Sequence, residues 1–61
     1  MDPNANLTEA RRVACRVINN ESPRPEDVER LAELFTAMDE WLTRGGALPH
    51  AWRTGLNWKK E

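Results

Sequence analysis

Apolar residues recur at helical spacing in two stretches of this chain, and the breaks between them fall at prolines and glycines. In the first, Leu7, Ala10, Val13, Ala14, Val17 and Ile18 gather on one side of a helix, with Thr8, Arg12, Arg16 and Asn19 opposite. Asn6 suits the N-cap and Glu9 the third helical position, close to a capping box, so the pattern predicts a helix over about 7–19. The run from Asn19 to Arg24 holds Asn-Asn, Ser-Pro and a second proline, and reads as a short connection between antiparallel helices.

The second stretch runs from Pro25 to Arg44 without an internal glycine or proline. It begins at Pro25 or, with Ser22 as cap, at Pro23. Glu26 and Asp27 place negative charge at the positive end of the helix dipole. Val28, Leu31, Ala32, Phe35, Met38 and Leu42 form its main stripe, and Leu34 and Trp41 widen that stripe to nearly half the circumference. One partner helix covers a little over 100°. The width therefore predicts two contacts: the first helix, and either the C-terminal segment, a second copy of the chain or a different protein.

Gly45 suits the left-handed residue that closes the second helix, with Leu48 folding back as the accompanying apolar contact. Pro49 then permits one more turn, over about 49–53, which places Leu48 and Trp52 on one side and Trp52 against the open end of the hairpin. Residues 1–5 and 54–61 read as loose ends, the latter carrying Trp58. The fold predicted for residues 1–61 is a single all-α domain: an antiparallel two-helix hairpin plus a short C-terminal helical turn. A dimeric four-helix bundle would complete it.

Size sharpens that expectation. Sixty-one residues lie near the lower limit for a core that stands without disulfides, metal or a partner. Cys15 is the only cysteine, so neither a disulfide within the chain nor a cysteine-based metal site is available, and a reducing cytoplasm is the expected setting. The longest apolar run, Val13-Ala14-Cys15, is far too short for a membrane span or a signal sequence. Cofactors are expected to be absent.

Catalytic chemistry has little to stand on. His50 and Cys15 sit in different elements with no spacing that marks a site. Glu29 and Glu33 share a helical face, as acidic pairs routinely do, and Gly45-Gly46 lacks the strand and helix that frame a phosphate loop. The chain reads as a non-enzyme. Asp39, at the margin of the main stripe, either tilts outward or pairs with an arginine of the first helix such as Arg11.

Charge is distributed unevenly about a net of −1: residues 1–22 balance, residues 23–44 carry −3 and residues 45–61 carry +2. An acidic second helix has the wrong sign for reading DNA. The basic tail, with Arg53, Trp58, Lys59 and Lys60, supplies a secondary reading in which those residues lie on nucleic-acid phosphates and stack a base. Protein binding has the stronger motive, because Leu34, Trp41 and Trp58 are large apolar groups that a two-helix hairpin need not hide. Against that, Trp41 can pack internally on the segment from Leu48 to Trp52.

Five pieces of the second half also form a pattern: Leu31-Ala32-Glu33-Leu34, Met38-Asp39-Glu40-Trp41-Leu42, Arg44-Gly45-Gly46, Leu48-Pro49 and Ala51-Trp52. Together they resemble a family of small helical proteins of actinobacteriophages and their actinobacterial hosts, for which no activity is assigned. The resemblance covers a little under half of the chain. It implies a cytoplasmic, phage- or mobile-element-encoded protein and transfers no catalytic or binding residue. The function expected on all these grounds is a non-enzymatic protein-interaction module, a phage factor that binds and modulates a host protein. An accessory nucleic-acid binder and a structural homo-oligomer are the alternatives.

Overall fold

A computed structural model describes residues 1–54 of the chain. Three helices, α1 (Pro3–Asn19), α2 (Pro25–Thr43) and α3 (His50–Thr54), account for most of it, and there is no strand among the described residues. Helices α1 and α2 pack as an antiparallel hairpin: Asn6 lies beside Leu34 near one end, and Arg16 beside Asp27 near the other. The expected tail from Gly55 onward, Trp58 included, lies outside the described residues.

Helix α1 starts four residues before the expected Leu7. Asp2 is its N-cap, with a carboxylate oxygen accepting the backbone N–H groups of Asn4 at 3.0 Å and Ala5 at 3.2 Å, and Pro3 takes the first helical position. Proline is well placed there, where its missing N–H would have had no partner in the helix. Asn6, expected as the cap, is instead inside the hairpin, and its side-chain Nδ2 donates to the Leu34 carbonyl at 3.2 Å. A buried amide with a partner across the interface fixes how far α1 slides along α2, because losing the bond would leave a buried polar group unsatisfied.

Helix α2 starts at Pro25, the later of the two candidate positions, with Glu26 and Asp27 in its first turn and no side-chain cap from Arg24. Its far end is closed by the two glycines, each for a different reason. Gly45 takes the left-handed backbone, φ +91°, and its N–H donates to the Leu42 carbonyl, while the Gly46 N–H donates to the Trp41 carbonyl at 2.8 Å. This 6→1 and 5→2 pair is a Schellman closure, which satisfies carbonyls that the helix end would otherwise leave open. At Gly46 the constraint is space, since a Cβ there would overlap the Trp41 indole ring. The apolar group folded onto the cap is therefore Trp41, whereas Leu48, expected in that role, is half exposed.

The chain then returns to α1. Pro49 is fully buried, and the Asn4 side-chain oxygen accepts the His50 backbone N–H at 2.7 Å, tying the start of α3 to the start of α1. The hairpin core is small: Leu7 and Val13 from α1 meet Leu34 and Met38 from α2. The fold as a whole is thin, 34 × 31 × 15 Å, so its shortest dimension is close to one helix diameter.

The two glycines should respond differently to substitution. Gly46→Ala should lower stability by about 1–3 kcal/mol through overpacking and should also shift tryptophan emission, because the Trp41 ring must move. Gly45→Ala should cost about 1 kcal/mol through the left-handed backbone alone and leave the emission unchanged. Thermal unfolding followed by both circular dichroism and fluorescence separates the two. Identical emission in the two variants would refute the packing role of Gly46.

Candidate functional site

The two faces of the hairpin differ in chemistry. One is built from ion pairs that bridge the helices. Arg16 lies against Asp27, with Nε and Nη2 donating at 3.2 and 3.0 Å, and Arg30 donates through Nε and Nη2 to the two Glu9 oxygens, both at 2.8 Å. Arg30 also reaches Glu33 at 3.2 Å. Such two-pronged pairing fixes orientation as well as supplying attraction. Asp39 and Arg11 are both exposed and not paired with each other, so Asp39 takes the outward of its two expected orientations.

The hydrogen bonds from the arginines hold the Glu9 and Asp27 carboxyls below their ordinary values of 4.5 and 3.8, and the carboxylates in turn raise Arg16 and Arg30. All four groups stand in contact with solvent, so the pairs matter more for alignment than for stability.

The opposite face is apolar. Leu7 and Ala10 of α1, Leu31, Leu34, Phe35 and Met38 of α2, and Trp52 of α3 surround a shallow groove of about 120 Å³, with Asn6 at its base. Phe35 forms one wall yet is 71% exposed, and Trp52 is 44% exposed. Val28, two turns before Phe35 and so on the same side of α2, is half exposed, and Ile18, three turns after Leu7 on α1, is 79% exposed. Isolated apolar side chains on a surface need no explanation, but exposed Phe35 and Trp52 lining one groove, with Val28 and Ile18 on the same sides of their helices, do.

This arrangement relocates the surplus apolar surface. Leu34, expected at the edge of the stripe and open to a partner, is 5% exposed and lies at the centre of the helix interface. Trp41 is half-buried, and its Nε1–H donates to the Ala47 carbonyl at 2.8 Å while its ring lies at Gly46, so it packs on the residues just before the Leu48 to Trp52 segment expected to receive it. Val28 and Phe35, assigned to the buried stripe, are the groups on display. Helix α2 is turned about its axis relative to the phase that its apolar residues alone suggest. The signal that carries the correct phase is the match of Asp27 and Arg30 on α2 to Arg16 and Glu9 on α1.

The remaining candidates are scattered. Arg53 is exposed on α3, while Trp58, Lys59 and Lys60 lie outside the described residues, so no nucleic-acid surface is assembled from them here. Cys15 and His50 are exposed and belong to different elements. Among the described residues no cluster of ligating side chains suits a metal ion, and no helix is long and apolar enough to cross a membrane. Comparison with protein-family models, with curated proteins and with solved structures found no match.

Because Glu9 and Asp27 are shifted downward on folding, their contribution to stability is complete above the ordinary carboxylate range and is lost as pH falls through the lowered values. The thermal midpoint should therefore drop on acidification from about pH 5 to about pH 2.5. The double variant Glu9→Gln, Asp27→Asn should lie below the parent at neutral pH and converge with it in acid, and salt should narrow the gap. Parallel pH profiles for the two proteins would rule the ion pairs out as the source.

Proposed function

We propose that this chain is a protein-interaction module that docks an amphipathic helix on its apolar face and performs no chemistry of its own. The observation that carries the reading is the exposure of Phe35, flanked by Val28, Leu31 and Trp52, on one face of a hairpin whose other face is closed by ion pairs. A groove between two helices with an aromatic wall is a recurrent way of receiving the apolar stripe of a third. Aromatic side chains at the centre of such a surface supply most of the binding energy. The sequence resemblance to actinobacteriophage proteins makes an actinobacterial cytoplasm the natural place to look, and a phage factor acting on a host protein the natural role.

The test is affinity capture of the tagged chain from an actinobacterial lysate, with and without nuclease, comparing the parent with Phe35→Asp. Burying one phenylalanine contributes about 2 kcal/mol, so the variant should bind about thirtyfold more weakly with its helicity unchanged. A partner held equally by both proteins would refute the face assigned here. Capture that disappears with nuclease would transfer the function to nucleic acid.

A further inference from the structure

We infer that the helical partner on this face is a second copy of the chain, in a two-fold dimer that sets α1 of each copy over α2 of the other. The inference rests on the interaction-module reading and gives the face its occupant, so that a host protein binds this face only by displacing the second copy. Its first support is thickness: at 15 Å the fold is one layer of helices, whereas a helix hides its apolar stripe only when a second layer lies over it. Laying one hairpin face to face on another makes a four-helix bundle and covers Phe35, Val28, Ile18 and Trp52 in a single step.

The second support is charge, and it selects the geometry. Helix α1 carries one acid and three arginines, and α2 carries six acids and one arginine, so their net charges are +2 and −5. Two hairpins can meet face to face with a two-fold axis either across the helices or along them. The first places α2 on α2, opposing −5 with −5. The second places α1 on α2 twice, so that each acidic helix meets a basic one. Like-charge juxtaposition across an interface is costly, and complementary charge fixes the register.

The second arrangement also makes a specific contact. A two-fold axis along the helices preserves height, so the register inside one hairpin gives the register between copies. Glu9 is level with Arg30 and Asn6 with Leu34, which puts Arg11 level with position 29. At 100° per residue, Arg11 lies on the apolar side of α1, about 20° from Ile18 and about 40° from Leu7, and Glu29 lies about 100° beyond Val28, at the margin of α2 turned away from α1. Both are exposed in the single chain and neither takes part in the ion pairs of the charged face. In the dimer Arg11 projects onto α2 of the other copy at the height of Glu29, and its long side chain reaches past the helix margin to that carboxylate, twice by symmetry.

Sedimentation equilibrium and native mass spectrometry across a concentration series test this, with circular dichroism as the folding control. The parent should be a dimer at tens of micromolar. Phe35→Asp should be monomeric. Arg11→Glu and Glu29→Arg, each placing like charges together twice, should each weaken the dimer by at least about tenfold, and the double variant Arg11→Glu, Glu29→Arg should recover most of the loss. Both positions are on the surface, so these changes leave the hairpin itself intact.

A parent that stays monomeric would overturn the inference. If that monomer still captured a different protein through Phe35, the interaction-module reading would survive without it; if it captured nothing, both would fall. A dimer in which the double variant is no stronger than the single ones would refute the crossed arrangement.

Discussion

The rotational setting of α2 against α1 is the constraint on which the rest of this structure depends. Two cross-helix ion pairs fix it on one edge of the hairpin, and the buried Asn6 amide, which donates to the Leu34 carbonyl, fixes it in the core. Turning α2 away from that setting would strand a buried amide without its acceptor. With α2 held at this angle, Leu34 and Met38 point at α1, and Val28 and Phe35 point away. Core, charged edge and apolar face are three consequences of one angle.

The same angle accounts for the small core. Ala10 and Ala14 are the residues that α1 offers between its larger side chains, so the helices can approach closely without a thick apolar layer between them. Val13 fills the middle almost completely, at 1% exposure, and Asn6 occupies one end, where its amide is held by the Leu34 carbonyl. A polar residue in that place limits how far the two helices can slip, since slippage would strand it. The structure gives up apolar burial at Asn6 and gains a single alignment, and the bond from His50 to Asn4 extends that alignment to α3.

Much of the fold was legible in the sequence, and what was not has specific causes. Proline at 25 and glycine at 45 marked the limits of α2 because each removes a conformational penalty at a helix end. The start of α1 carried the same kind of signal, Asp2 followed by Pro3, but Asn6 with Glu9 formed a second plausible cap and drew the boundary inward. Local capping chemistry cannot choose between two candidates when the decision is made elsewhere, here by burial of Asn6 against α2. The phase of α2 was hidden for a related reason. Its apolar residues span nearly half the helix, and an apolar stripe that wide is satisfied by a range of angles, so the charged residues decide among them.

That division of labour bears on function. If apolar burial alone had set the angle, the hairpin would have hidden Phe35 and Val28 rather than leave both exposed. Instead the angle is set by Arg16, Asp27, Glu9, Arg30 and Asn6, and Phe35 is left standing in solvent. Exposed ion pairs contribute little stability and are weakened by salt, so using them to orient a helix is inefficient for a protein that needs only to fold. It is effective for one that must present an apolar face in a defined shape, because specific pairs choose one orientation where a wide stripe would accept several. On the proposed reading of the chain as an interaction module, the charged face is the support that holds the apolar face in a defined shape.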